Sequence, residues 1–273
     1  MAALTDYTGS VAVIVSSCDA FFDAWAPFAH FFRKFWPDCP FFVHLITNEL
    51  HAQSAWMRPL PVGPDRDWAA NMIVALDQIT ATHVLYFQED YFLDGPVNAH
   101  QLADDFRYAF EHEVDAFCFR GRSEVESGFQ SINDRFGLVP IDSDGRTRCQ
   151  LTLWQRTSFL RALRSGENAW EMESQGSVRT RDMKIISYRT RENLPVPYLM
   201  SAIVRGLWTR EALAFSAREN VVISPHFRGT YTSHGLLRRW RRARTRRALR
   251  CELARRRTQT IDLDETAGRI APR

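Results

Sequence analysis

The chain has 273 residues, 45% of them hydrophobic and 12% aromatic, and a net charge of +3. This is enough apolar material for one large domain or two small ones, and it excludes a disordered chain. The apolar runs fall well short of the roughly 18–20 residues needed to cross a bilayer. The first residues lack the basic start and apolar stretch of a signal peptide, and five Cys without a CxxC pair argue against a disulfide framework or a structural zinc site. A reducing cytosol is the expected compartment.

In chain order, VAVIV (11–15) reads as a buried strand that ends in small polar residues. Phe21, Trp25, Phe28, Phe32 and Phe35 then step by 4, 3, 4 and 3 and so share one helical face. Pro37 and Pro40 stop that helix. FFVHLIT (41–47) is a second buried strand. A helix follows over DRDWAANMIVALDQI, with Asp65 or Asp67 able to cap it. THVLYFQ (82–88) is the third strand. Strand–helix–strand–helix–strand over the first ninety residues predicts an α/β fold with a mostly parallel sheet flanked by helices.

A helix over NAHQLADDFRYAFEH and a strand over DAFCFRG come next, then a long loop from Glu124 to Arg148. CQLTLWQ resumes a strand, TSFLRALRSG is a short helix, and NAWEMESQG is a helical turn. MKIISYR and YLMSAIVRG read as strands and TREALAFSAREN as a helix, before a loop-like stretch from Pro225 to Gly235. The expected organisation is a catalytic domain over 1–235 and an Arg-rich tail over 236–273, helical at first and frayed after Thr258. Eleven Arg and one Glu between Arg238 and Thr258 give that stretch +10, which leaves −7 for the rest of the chain. A basic tail on an acidic body points to a polyanion such as anionic lipid.

The third strand ends abruptly in Gln88, Glu89 and Asp90 before apolar residues resume at Tyr91. In open α/β sheets, ligands bind beyond the carboxyl ends of the strands. The first strand likewise ends in Ser16, Ser17 and Asp19, so the two clusters are expected to face one crevice. Adjacent carboxylates there repel and need a counter-charge. Hard oxygen donors suit Mg²⁺ or Mn²⁺, which would bridge to a diphosphate. The alternative is a solvated turn or a cap for the next helix.

The blocks VIVSSCDAFFDAWAPF, FWPDCPFFVHLITNE, DRDWAANMIVALDQI, VLYFQEDYFL, GENAWEMES and IVRGLWTREAL, spread between about Val11 and Gly229, together resemble bacterial glycosyltransferases of the GT-A type. The chain looks most like a group linked to surface-polysaccharide or lipopolysaccharide assembly. The resemblance implies a Rossmann-like GT-A domain that takes a sugar from a nucleotide-sugar donor to a glycan or lipid-linked acceptor, working as a hexosyltransferase of the inverting kind at the inner face of the cell membrane. It places Gln88-Glu89-Asp90 where the family carries an Asp-x-Asp-like motif, with Gln88 replacing the first acid, which weakens the case for strict metal dependence. By the same resemblance Asp90, then Glu89, meets the metal or diphosphate, and Gln88 meets the ribose. Ser16 and Asp19 meet the base or ribose. Arg66 and Trp68 close over the nucleotide. His226 completes the metal shell, and Glu173, or else Glu171, is the general base. These two glutamates diverge on a helix, so only one can face the crevice.

Two other readings compete. An Arg-rich end can bind RNA or DNA backbones with strong salt dependence, although Trp240 is the tail's one aromatic and the body is acidic. A sugar-phosphate nucleotidyltransferase would also place acids beside a parallel sheet, but the chain has no Gly-rich phosphate loop.

Overall fold

A computed structural model describes residues 3–122, 128–223, 225, 228–231 and 238–264, with the side chains of 238–246 left out. The chain begins β1 (Val11–Ser16), α1 (Phe22–Phe35), β2 (Val43–Thr47), β3 (His51–Gln53), β4 (Met57–Pro61), α2 (Trp68–Asp77) and β5 (His83–Gln88). It continues α3 (Ala99–Glu111), β6 (Ala116–Cys118), β7 (Gln130–Ser131), β8 (Phe136–Leu138), β9 (Thr152–Gln155), α4 (Arg156–Ala162), α5 (Ala169–Arg179) and β10 (Ile185–Tyr188). Last come β11 (Ile203–Val204), β12 (Leu207–Trp208), α6 (Arg210–Arg218), α7 (Arg238–Arg256) and β13 (Thr260–Asp262).

Nine strands form the central sheet in the order β4-β2-β1-β5-β9-β6-β10-β8-β7. β1 lies between β2 and β5 and is parallel to both, and every one of its residues is buried. That environment is why a continuous β-branched run is stable there. β9 and β8 run against the other seven strands. The sheet is therefore mostly parallel, as expected, with a reversed strand at its centre that the sequence pattern does not reveal.

Helices cover both faces. On one side the aromatic stripe of α1 meets β5, with Phe28 and Phe32 edge-on to Phe87 at centroid distances of 6.0 and 5.7 Å. On the other side Met72, Ala75 and Leu76 of α2 pack with Tyr86 and with Trp154 of β9. Asp67 caps α2, its Oδ1 accepting from Ala70 N at 2.7 Å. This sets the entry to α2 beside the end of β1.

The structure departs from the sequence reading in four places. β4 carries Pro59 and Pro61 and has no counterpart among the predicted strands, yet it pairs with β2 at the sheet edge, where missing amide donors are tolerated. Within the predicted long loop, residues 128–148 include β7 and β8. The predicted strand YLMSAIVRG shrinks to β11, which turns through Arg205 (φ 54°) and Gly206 (φ 76°) into β12. Two positive φ values suit a tight hairpin, so Arg205 is a turn residue. Finally, the described residues just after Thr258, where fraying is expected, hold a strand: β13 pairs with β3, Ile261 and Leu263 join the main core, and Leu249 and Leu253 pack against it. No helix among the described residues is long and apolar enough to cross a membrane.

Candidate functional site

A cavity of about 300 Å³ opens beyond the carboxyl ends of β1, β2 and β5. Its wall includes Ser16, Cys18, Phe21, Asp65, Arg66, Trp68, Asn71, Gln88, Glu89 and Ala169. The expected meeting of the β1 and β5 ends is thus realised: Ser16 pairs in register with Gln88, and Glu89 N donates to Ser16 O at 3.2 Å.

Polar side chains across this floor are tied to one another. Trp68 Nε1 donates to Ser16 Oγ at 2.9 Å. Gln88 Nε2 donates to the Tyr86 hydroxyl at 3.2 Å and to the Cys149 carbonyl at 2.8 Å. Tyr91 donates to the same carbonyl at 2.9 Å. On the far wall Asn71 Nδ2 donates to Asp65 Oδ1 at 2.7 Å. Asp65 only accepts when ionised, so the amide nitrogen must face it. Asn71 Oδ1 is left buried without a partner.

Glu89 and Asp90 are both buried. Burial, and then the charge of Asp90, push Glu89 well above the usual carboxylate range. Burial raises Asp90 to about 7, against the pull of the Ile203 N–H on its Oδ2 at 3.1 Å. Asp90 Oδ1 has no hydrogen-bond partner. Arg228 is buried, and its charge favours the ionised form of both acids. It is held by Asp23, with Nε 2.9 Å from both carboxylate oxygens, by the Ala20 carbonyl, and by the Phe21 ring 4.4 Å beneath its guanidinium. No pattern in the sequence marks Arg228, because its partners lie some 205 residues away.

Other expected site residues have different employment. Asp19 is absent from the wall: its carboxylate accepts from the backbone N–H groups of Asn48, Glu49 and Leu50 at 2.8, 2.8 and 2.9 Å, tying the β1–α1 turn to the loop after β2. The predicted helical turn is the full helix α5, and neither glutamate on it lines the cavity. Glu171 closes a capping box, its Oε2 accepting from Asn168 N at 2.8 Å. Glu173 Oε1 accepts from Cys149 N at 2.9 Å, and its Oε2 pairs with Arg148 at 3.3 Å. The Cys149 backbone thus links Glu173, through its N–H, to Gln88 and Tyr91, through its carbonyl. His226 lies outside the described residues.

A divalent cation finds part of a donor set here. Glu89 lines the cavity, and Asp90 keeps a buried oxygen without a partner, both hard donors of the kind Mg²⁺ and Mn²⁺ take. Among the described residues no cluster of three His, Cys, Asp or Glu side chains could hold a metal. Of the two carboxylates only Glu89 forms part of the cavity wall.

No protein-family model matches the chain, and no curated protein matches its sequence. Among solved structures the similarities are distant. The 1–349 fragment of S. aureus TarS matches at 13% identity with a TM-score of 0.45, over 69% of this chain and 59% of that one. The galactosyltransferase LgtC, solved with donor and acceptor sugar analogues, matches at 12% identity and a TM-score of 0.38, over 88% of this chain and 95% of that one. A Drosophila β1,4-galactosyltransferase 7 mutant, in complex with manganese, UDP-Gal and xylobiose, matches at 9% identity and a TM-score of 0.38, over 70% and 68%. The chain spans about three-fifths of the TarS fragment.

Proposed function

We propose that this chain is a nucleotide-sugar-dependent glycosyltransferase. The observation that carries the proposal is the cavity beyond β1, β2 and β5, where Ser16, Trp68 and Gln88 form a fixed polar floor beside the buried carboxylates Glu89 and Asp90. In this reading the nucleotide lies over Ser16 and Trp68, Gln88 meets the ribose, and Arg66 faces the diphosphate. The acceptor hydroxyl attacks the anomeric carbon and releases its proton to solvent, while that carbon's bond to the diphosphate breaks and the diphosphate leaves with the electron pair. A cation held by Glu89 and Asp90 would stabilise the charge that builds on the leaving group.

Glu173 takes a positioning role. It holds the Cys149 N–H, and the carbonyl of the same residue in turn holds Gln88. Glu171 fixes the start of α5. The acceptor is a glycan or lipid-linked glycan of the kind that builds surface polysaccharide, and the arginines of α7 bring the enzyme to anionic lipid, each contributing about 1 kcal/mol near such a surface.

The proposal is tested by thermal shift with UDP, GDP, CDP, CMP and TDP and their common sugars, each with Mn²⁺ or with EDTA. A ligand at about 100 times its dissociation constant adds about 2.7 kcal/mol of stability. One selective shift, weakened in Glu89→Gln, supports the reading. A flat panel rejects it.

A further inference from the structure

Asn48 directly follows β2 and is buried, yet it is not part of the cavity wall. Its side chain joins two segments that are. Asn48 Oδ1 accepts from the N–H of Asp19, next to Cys18 of the wall, at 3.1 Å. Asn48 Nδ2 donates at 3.0 Å to the carbonyl of Gly63, shortly before Asp65 and Arg66 of the wall. Backbone bonds hold the asparagine between these partners: Asn48 N donates to Asp19 Oδ1 at 2.8 Å, and Val62 N donates to Thr47 O at 2.9 Å. An N–H on one side needs an acceptor, and a carbonyl on the other needs a donor. A short carboxamide supplies both, whereas an ionised aspartate lacks the donor and an alanine lacks both. The lip from Gly63 to Asp67 has no regular structure and turns at Gly63, whose φ is 78°. Arg66 stands exposed on it, so the backbone of the lip sets where the guanidinium reaches.

We propose that Asn48 is a positioning residue for the diphosphate: by bridging Asp19 N and the Gly63 carbonyl, it holds the lip that carries Arg66 at a fixed spacing from the end of β1. This rests on the glycosyl-transfer reading, in which Arg66 faces the diphosphate. Without the bridge the Gly63 carbonyl turns to water for its hydrogen bond, and the lip relaxes outward. The nucleoside half of the ligand keeps its floor, because Ser16, Trp68 and Gln88 are tied by bonds that do not involve Asn48. The loss therefore falls on the diphosphate half.

The test is a double-mutant cycle of Asn48→Ala and Arg66→Ala on the full chain. Ligand-observed NMR titration at constant Mg²⁺ gives Kd for uridine and UDP, guanosine and GDP, cytidine and CDP, and thymidine and TDP. The readout is the ratio of the nucleoside Kd to the diphosphate Kd for the pair that binds best. This ratio should fall roughly fivefold or more in Asn48→Ala, while the nucleoside Kd changes by less than about twofold. In the Arg66→Ala background the same substitution should change the ratio by less than about twofold, because the group it positions is gone. Asn48→Asp keeps the acceptor for Asp19 N and lacks the donor for Gly63, so it should match Asn48→Ala and serves where alanine loosens the fold. An unchanged ratio in the Asn48 variants overturns the proposal. So do losses that multiply in the double variant, or a nucleoside Kd that rises as far as the diphosphate Kd, since either marks a general structural role. A wild-type chain that binds nucleoside and diphosphate equally removes the function of Arg66 and overturns the proposal while leaving a nucleoside site. If none of these ligands binds, the glycosyl-transfer reading itself fails.

Discussion

Replacing Glu173 with alanine separates a positioning role from a catalytic one. The substitution strips the buried Cys149 amide of a charged acceptor at 2.9 Å. Hydrogen bonds to charged groups contribute about 1.5–3 kcal/mol. The accompanying pair with Arg148 is partly exposed and adds little after solvent screening. A total loss of about 2–3 kcal/mol is expected, which for a chain of this size lowers the melting temperature by roughly 4–12 °C. The Cys149 carbonyl then holds Gln88 less firmly, and a weakened hydrogen bond there raises the dissociation constant of the nucleotide roughly two- to tenfold. Urea unfolding and nucleotide titration measure both effects. Glu173→Gln keeps an acceptor for Cys149 N and should keep most of the turnover. A base, by contrast, is lost in either variant. Full stability in Glu173→Ala, together with equal and large losses of turnover in both variants, would refute the positioning role and make Glu173 the base.

The remaining predictions concern charge and the C-terminal segment. Asp90 is raised to about 7 by burial, so the folded state holds its proton while the unfolded chain has released it. Its contribution to stability is therefore full below about pH 4 and is lost as pH rises through about 7. His83, lowered to about 4 by burial, acts in the opposite sense over part of that window, so the readout is the difference between Asp90→Asn and wild type. The variant should gain relative stability from pH 5 to pH 8 in urea unfolding, and a flat difference would contradict the burial argument. Arg228→Met leaves Asp23 buried without its partner and should cost about 3–5 kcal/mol by the same assay. Deleting residues 259–273 removes β13 with its buried Ile261 and Leu263 and should cost about 3–5 kcal/mol, where a frayed end would cost nothing measurable.

The strands that position the cavity were legible because burial on both faces forces a continuous apolar run. The same pressure made the break at Gln88-Glu89-Asp90 conspicuous. α1 was legible because its aromatics repeat at helical spacing. β4 was hidden by Pro59 and Pro61, which an edge strand tolerates. The reversal of β9 was hidden because strand direction leaves no trace in composition. β13 was hidden because two apolar residues, Ile261 and Leu263, stand among polar ones. At the site, residue type was readable and employment was not. Asp19 and Glu173 are acids in the right neighbourhood, yet both are engaged by backbone N–H groups 24 or more residues away. Arg228 carries no local signal at all.

The central claim is that a nucleotide occupies the cavity beyond β1 and β5. Hydrogen–deuterium exchange tests it most directly, comparing the free chain with the chain saturated by the nucleotide that produces the largest thermal shift. The account predicts new protection over residues 16–21, 65–71 and 88–90, with little change over α7. Protection confined to α7, or spread evenly over the chain, would contradict it.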